Sequence, residues 1–270
     1  MKKLVFLFAP VFMLVTLDSC STKTFKSTFR TKPVVADGKL DDWGYAIEDE
    51  NVDRSGRVKY AIANDKENLY VTFRVFDKTT QAKIFLGGMK LVLDTAAEKK
   101  PSTVIEFPLF VKLKPGEKPK WDFKPGERLG VKDLHLRAKE NHKEMILSGF
   151  YAFANGKQAL NNNVSNVSVG FDWDEDDALI YEAVIPFKAF YSSAFKKGKQ
   201  ELSIGVRVQG IDKNILPEQN FYAMMNGMGR RNGGRSNTAS PNNLPNPAEN
   251  AYEIYTEPIK YDLKLQLATR

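Results

Sequence analysis

Alternation of side chains with a period of two constrains this chain more than any other feature of its sequence. Between Asn68 and Asp77, every second position carries a large apolar residue: Leu69, Val71, Phe73 and Val75. Because successive side chains of a strand point to opposite faces, the pattern predicts a strand with one face in a core. Arg57–Asn64 alternates in the same way, and Asp65-Lys66-Glu67-Asn68 between the two segments has the composition of a hairpin turn.

Similar segments recur along the chain, separated by turn residues. They are Met89–Asp94, Val104–Leu113, Met145–Ala154, Val164–Trp173, Ala178–Pro186, Glu201–Ile211 and Ala251–Leu267. Roughly ten short strands at such spacing predict an all-β protein with an antiparallel β-sandwich fold. Helical candidates are few and short. They are Thr79–Leu86, Val131–Glu140, which a strand would also explain, and Phe187–Phe195.

Residues 1–19 differ from the rest of the chain and are predicted to be an export signal peptide. Two lysines precede an apolar run from Leu4 to Leu17, and Cys20, the only cysteine, follows it. The run contains Pro10 and is shorter than the roughly 20 apolar residues that a membrane-spanning helix needs. A single cysteine excludes disulfide frameworks, cysteine-based zinc sites and thiol redox pairs within the chain.

The residues Leu17-Asp18-Ser19-Cys20 resemble the lipobox of bacterial lipoproteins. The resemblance implies that Cys20 is acylated and exposed by cleavage, so that lipid chains attach the protein to a membrane of the cell envelope. Ser21 after the cysteine favours the outer membrane. Ordinary signal cleavage with a free thiol at Cys20 is the alternative. With a lipid anchor, residues 20–32 are expected to form a short polar tether.

Three motifs, taken in order along the chain, carry a family resemblance. They are Asp37-Gly38-Lys39-Leu40-Asp41-Asp42-Trp43, then Tyr60–Asp65 with Asn68–Val75, and finally Tyr181-Glu182-Ala183-Val184-Ile185-Pro186-Phe187. Together they resemble the family 9 carbohydrate-binding modules and the related DOMON domains. The resemblance implies a single jelly-roll-type β-sandwich domain over residues 33–270, with carbohydrate binding and no catalysis.

Sugar-binding members of that family hold the sugar between two tryptophans, which this chain lacks at the corresponding places. The first place falls near Ile84 and Phe85, and the loop before the last strand has no tryptophan and offers only Phe221, Tyr222 and Tyr252 nearby. The candidate ligand-binding residues are therefore Phe85, Trp121, Trp173 and Tyr222. Packing in the core or in a turn is the alternative for both tryptophans.

The segment Met224–Ala248 breaks the strand pattern. It contains four glycines, six asparagines, three prolines and three arginines, and it has no acidic residue. One interpretation is a flexible, solvated loop. The other is that Arg230, Arg231 and Arg235 contact an anionic partner, such as a lipid headgroup, an acidic glycan or another protein. Nucleic acid is not an expected partner of an exported lipoprotein.

No cofactor is predicted. Some DOMON relatives bind haem through a Met/His or similar axial pair, and this less favoured alternative would use the histidines and a methionine group. These residues are His135, His142, Met224, Met225 and Met228. Neither histidine belongs to a haem motif or a zinc motif.

An acidic cluster, Asp172, Asp174, Asp176 and Asp177, has some likeness to a calcium loop. An EF-hand loop that started at Asp172 would need Gly at position 177 and Glu at position 183, where this chain has Asp and Ala. The cluster is therefore predicted to be an acidic hairpin turn, and a calcium site of another kind stays open.

No catalytic motif marks this chain as an enzyme, since it has no Gly-x-Ser-x-Gly elbow, no phosphate-binding loop and no dinucleotide fingerprint. Two hypotheses remain. The first is a lipid-anchored envelope protein that binds a glycan. The second is a structural or interaction lipoprotein in which the sandwich docks a partner protein and Met224–Ala248 takes part.

Overall fold

The structure is a computed structural model that describes residues 24–44, 58–94, 103–110, 135, 138–161, 163–190, 201–212 and 253–269. Within these residues, twelve strands form two sheets. The strands are β1 (Thr24–Lys26), β2 (Thr28–Phe29), β3 (Val58–Asn64), β4 (Asn68–Val75), β5 (Met89–Asp94), β6 (Thr103–Glu106), β7 (Glu144–Ser148), β8 (Gly156–Ala159), β9 (Ser168–Trp173), β10 (Leu179–Pro186), β11 (Glu201–Val208) and β12 (Ile259–Gln266).

Helices are short. They are α1 (Lys78–Gly87), α2 (Phe187–Phe190), a 3-10 turn at Asp41–Trp43, and helical residues at 138–141 and 253–256. Helix α1 confirms the candidate Thr79–Leu86, and its first turn is capped by Asp77, whose carboxylate accepts a hydrogen bond from the backbone N–H of Thr80. None of the described helices is long and apolar enough to cross a bilayer.

The predicted β-sandwich is confirmed. The seven-stranded sheet has the order β1-β12-β11-β5-β6-β7-β8, and the five-stranded sheet has the order β2-β3-β4-β10-β9. Neighbouring strands are antiparallel except at one edge of each sheet, where β1 runs parallel to β12 and β2 runs parallel to β3. These two short edge pairs are the exceptions to the antiparallel arrangement that the sequence predicts.

The inner faces of both sheets share one core. Val71 on β4, Leu91 and Leu93 on β5, and Ile204 on β11 are all buried in it. The alternation predicted for β3 and β4 places their inner residues directly opposite one another, for example Ile62 against Val71. Fully burying each such side chain contributes roughly 1.5–3 kcal/mol to folding.

The N-terminal strands correct the predicted tether, because residues 24–29 belong to the sandwich. Ser27, between β1 and β2, joins the two sheets. Its backbone N–H donates to the carbonyl of Gln266, and its hydroxyl donates to Oδ1 of Asn64 at 2.5 Å. The backbone N–H of Ala268 donates back to the Ser27 hydroxyl at 2.8 Å. Residues 20–23 are thus the part of the predicted tether that lies outside the described structure.

The first family motif lies in a segment, residues 33–44, that we call the strap. It crosses the outer face of the five-stranded sheet, where Val34 and Trp43 pack against Ala61, Ala63 and Tyr70. The strap runs so close to β9 that a Cβ on Gly170 would lie 2.1 Å from the carbonyl oxygen of Ala36. Only glycine leaves room for the strap at this position.

Candidate binding groove on the seven-stranded sheet

A groove opens on the outer face of the seven-stranded sheet, over β5, β11 and β12. We call it the groove; its volume is about 320 Å³. Its lining residues are Val92, Asp94, Ser203, Gly205, Arg207, Asp262, Leu263 and Lys264. The register explains most of this grouping, since Gly205 lies opposite Val92 on one side and Asp262 on the other.

Gly205 creates the depth of the groove. A Cβ at this position would lie 2.9 Å from Nη1 of Arg207 and 3.0 Å from Oδ1 of Asp262. With no side chain there, the backbone of β11 forms the floor between these two groups. Glycine inside a strand often marks a site where another molecule approaches the backbone closely.

The guanidinium of Arg207 is held in place along one side of the groove. Nη1 donates to the backbone carbonyls of Tyr261 at 2.8 Å and Val206 at 3.0 Å, and Nη2 forms an ion pair with Asp262. The remaining faces of these charged groups are open to solvent, because the Asp262 side chain is 69% exposed. The pair therefore offers a fixed donor and a fixed acceptor to a ligand.

The opposite end of the groove is also polar. Ser203 lies across from Asp94 on β5 and Lys264 on β12. The charged lining is therefore balanced, with Asp94 and Asp262 against Arg207 and Lys264. The groove can accept hydrogen bonds and donate them without selecting a ligand of either charge.

Exposed apolar residues lie at the end of the same sheet where β5 begins. Phe110 is 38% exposed, and its backbone lies against Gly88. The carbonyl of Pro108 accepts a hydrogen bond from Met89, which holds this loop beside the start of β5. Phe110 was not among the residues predicted from the sequence, because it comes from the loop after β6 and only the folding of that loop brings it beside the start of β5.

The segment before β12 reaches the same end of the sheet. Gln209 donates to the carbonyl of Gly88, and a Cβ on Gly210 would meet the carbonyl oxygen of Thr256 at 1.6 Å. Residues 253–256 therefore pack against the loop that adjoins β5, and Ile254 among them is 51% exposed. Phe110 and Ile254 are the exposed apolar side chains at this end within the described residues.

Phe85 was predicted as a ligand-binding residue, and this prediction is wrong. It is only 3% exposed and belongs to the core. Its ring packs against Phe171, Trp173 and His142 at centroid distances of 4.9, 5.2 and 5.7 Å. Helix α1 turns this side chain inward, so that no ring face is left for a sugar.

Trp173 is partly buried and packs against the core, as in the alternative interpretation. Its indole N–H donates to Oε1 of Gln81 at 3.0 Å, and its ring stacks on His135 at 3.6 Å. It lies on β9, in the other sheet from the groove. The remaining predicted site residues lie outside the described residues: Cys20, Trp121, Tyr222, Arg230, Arg231 and Arg235.

Both histidines are part of the packing around Trp173 and Phe85. Burial lowers the pKa of His142 to about 4 and also lowers the pKa of His135. No cluster of three or more His, Cys, Asp or Glu able to hold a metal ion occurs among the described residues. The predicted methionine group at 224–228 lies outside them.

The acidic cluster forms the predicted hairpin turn between β9 and β10. Oδ1 of Asp174 accepts hydrogen bonds from the backbone N–H groups of Asp176 and Ala178, both at 3.0 Å. Arg74 forms ion pairs with Asp174 at 2.6 Å and Asp176 at 2.7 Å. Arg74 on the neighbouring strand β4 therefore compensates part of the negative charge of this turn.

A buried carboxylate, Glu182, lies under the strap on the other sheet. Its pKa is raised to about 7, mainly because burial disfavours the charged form. Its hydrogen-bond partners are the indole of Trp43 and the backbone N–H groups of Asp37 and Gly38. All of them belong to the strap, so Glu182 is a structural residue that joins the first family motif to the last.

Among the solved structures similar to this chain, two are family 9 carbohydrate-binding modules from Caldicellulosiruptor kristjanssonii. The module in complex with glucose is 10% identical, with 92% of this chain and 97% of that chain aligned and a TM-score of 0.38. The module in complex with cellotriose is 11% identical, with 72% and 80% aligned and a TM-score of 0.34. No protein-family model and no curated protein matches the chain. Because the sequence identities are only 10% and 11%, no residue role is transferred from either module. The sandwich architecture follows from the strand pairing of this chain.

Proposed function

We propose that this protein binds a glycan without catalysis and acts at the bacterial cell envelope, to which lipid chains on Cys20 attach it. The groove is the observation that supports glycan binding most strongly. Sugar hydroxyls donate and accept hydrogen bonds, and a few converging polar groups are what fixes the orientation of such ligands. Asp94 and Asp262 supply acceptors, while Arg207 and Lys264 supply donors.

The balanced charge of the groove favours a neutral saccharide over an acidic one. Val92 beside the bare backbone at Gly205 offers an apolar surface for the C–H face of a sugar ring. Among the described residues, no aromatic side chain lines the groove. Because stacked rings supply much of the affinity in carbohydrate sites, we expect weak binding from the groove alone. The exposed ring of Phe110 at the end of the sheet is positioned to extend the site.

Filling the groove tests this function. In Ser203→Phe a large ring would occupy the groove, whereas in Ser148→Phe the same ring would stand on the outer face of β7, away from the groove. In affinity gels and on glycan arrays, with glucose and cellotriose among the probes, we expect wild type and Ser148→Phe to bind alike. Ser203→Phe is expected to lose at least about ten-fold in affinity, or 1.4 kcal/mol.

Two results would count against glycan binding in the groove. One is the absence of retardation on any polysaccharide, and the other is equal affinity of Ser203→Phe and wild type. Since the described lining of the groove has charged and polar side chains and no aromatic ring, a second candidate function is the docking of an envelope protein. Co-purification of such a protein, abolished by deletion of residues 224–248 in a chain that binds no glycan, would establish that second function.

A further inference from the structure

We propose that the β1 edge of the sandwich, with three lysines beside it, lies directly against a membrane surface that carries anionic lipids. The lysines are Lys26, Lys260 and Lys264. This inference rests on the proposed lipid anchor at Cys20 and specifies how the anchored domain sits. In this arrangement the domain contacts the bilayer directly, whereas a long polar tether would hold it away from the membrane.

The length of chain between the anchor and the fold sets the distance. Strand β1 begins at Thr24, four residues after Cys20. Consecutive Cα atoms are about 3.8 Å apart, so Thr24 lies no more than about 15 Å from the Cα of Cys20 in any conformation of the intervening residues. Acyl chains on Cys20 insert into the bilayer, which brings that residue to the headgroup level. The β1 edge is then held within the same short distance of the membrane.

Strand β1 is integrated into the fold and transmits this constraint to both sheets. Thr24 pairs with Lys264 on β12, and the ring of Phe25 packs edge-on against Tyr60 at 5.5 Å. Ser27 continues the connection through Asn64 to the five-stranded sheet. Lengthening the effective tether would require β1 to separate from both the β12 ladder and the core.

Charge supports contact with an anionic surface. By the register, Lys26, Lys260 and Lys264 share the outer face of β1 and β12, and all three are exposed. None of them forms an ion pair with a described residue. Asp262 on the same face is paired with Arg207, and Glu201 lies one strand farther from the edge. Each lysine near an anionic leaflet adds roughly a five-fold attraction, and three together about a hundred-fold.

Depth-dependent quenching tests this arrangement on the full lipidated chain. Since acylation occupies the only native cysteine, a single cysteine can carry a fluorophore in Thr24→Cys or in Ala159→Cys. Ala159 lies on β8, at the opposite edge of the same sheet, roughly 29 Å away at 4.8 Å per strand. In vesicles of phosphatidylethanolamine and phosphatidylglycerol with nitroxide-labelled headgroups, we expect strong quenching at position 24 and near-background quenching at position 159.

Three further variants separate the effect of tether length from the effect of charge. Insertion of about twenty Gly and Ser residues after Ser21 should weaken quenching at position 24. Replacement of Lys26, Lys260 and Lys264 by Gln in the lengthened chain should reduce it to the value measured on neutral phosphatidylcholine vesicles. As the control, replacement of the exposed Lys66, Lys143 and Lys188 by Gln in the same lengthened chain should leave the quenching at position 24 unchanged.

The two levels of the proposal fail in different ways. If labelled palmitate enters the wild type no more than it enters Cys20→Ser, the anchor itself is wrong, and the docking proposal falls with it. If the label enters and yet positions 24 and 159 are quenched equally, the anchor stands and docking through the β1 edge is overturned.

Discussion

The indole N–H of Trp43 donates a 2.5 Å hydrogen bond to Oε1 of Glu182, whose side chain has no exposure to solvent. The other carboxylate oxygen accepts from the backbone N–H groups of Gly38 at 2.7 Å and Asp37 at 3.1 Å. No described lysine or arginine pairs with Glu182. One carboxylate therefore fastens the strap to β10 of the five-stranded sheet.

Removal of the indole donor is expected to destabilise the fold. Trp43→Phe keeps most of the buried ring but leaves a buried carboxylate oxygen without its partner, which costs about 1–3 kcal/mol. Trp173→Phe is the matched control, because it removes an indole hydrogen bond to the amide of Gln81 from a partly buried ring. Urea unfolding of both variants would measure the difference. An equal loss of unfolding free energy in the two variants would contradict the role assigned to Glu182.

Glu182 also predicts a pH dependence of stability. Its pKa is about 7 in the folded protein, against 4.5 for an ordinary glutamate, so the folded state binds the proton more tightly than the unfolded state. This contribution to stability is fully present below pH 4.5 and is lost as pH rises towards 7. The loss amounts to about 3 kcal/mol at 1.36 kcal/mol per pKa unit.

Comparison of the wild type with Glu182→Gln isolates this contribution, because glutamine does not titrate. The variant is expected to show no such decline between pH 4.5 and 7. His142 makes stability depend on pH in the opposite sense, equally in both proteins. Burial lowers its pKa to about 4, so protonation of this histidine favours the unfolded state as pH falls below 6.5. Parallel curves of unfolding free energy against pH for wild type and variant would contradict the prediction.

Alanine substitutions at two glycines with positive φ distinguish the stability lost to a steric clash from the stability lost to an unfavourable backbone conformation. Gly38 has φ +83°, and a Cβ there would lie 2.2 Å from the backbone nitrogen of Asp172, whereas Gly44 has φ +71° and nothing within 4 Å of that position. Gly44→Ala should cost about 1–2 kcal/mol, the penalty of a left-handed alanine. Gly38→Ala should cost at least about 2 kcal/mol more, since the strap must move off β9. Thermal unfolding would rank the two variants. Equal melting temperatures would contradict the prediction, because they would show that the strap moves away from β9 without loss of stability.

The junction at Ser27 makes a fourth prediction. Ser27→Ala removes the hydroxyl that contacts Asn64 and the backbone of Ala268, while the N–H of Ala268 keeps its direct bond to Oδ1 of Asn64, so the expected cost is about 0.5–1.5 kcal/mol. Thr28→Ala, one residue farther along and exposed, should change stability by less than about 0.5 kcal/mol. Hydrogen exchange of the β1 and β12 amides would reveal whether the loss is local to this edge. Equal protection in both variants would contradict the role of Ser27.

Local patterning was sufficient to predict the strands that cross the core. The alternation in β3 and β4 and the Asp65 turn were correct, and Oδ1 of Asp65 accepts from the backbone N–H groups of Glu67 and Asn68 as such turns require. The acidic turn before β10 was also readable from composition. These features are local, because each depends on residues within a few positions of one another.

Strands β1 and β2 could not be read from the sequence. They are three and two residues long, mostly polar, and lie in a segment that resembles a linker. Their conformation comes from partners more than 30 residues away, Asn64 and Gln266, to which Ser27 is bound. Phe85 was placed wrongly for a related reason, since the orientation of α1 against the sheets decides whether its ring faces the core.

By itself, the sequence determined the strands that cross the core, the turns between them, the single cysteine at Cys20 and the motifs that gather on the five-stranded sheet. Those properties follow from periodicity and local chemistry, which the order of residues contains. Only the tertiary structure decided the groove, because it brings Asp94, Gly205 and Asp262 together through the register of three strands that are far apart in the chain. A one-residue shift in that register would turn every one of these side chains to the other face, so no local pattern could locate the site.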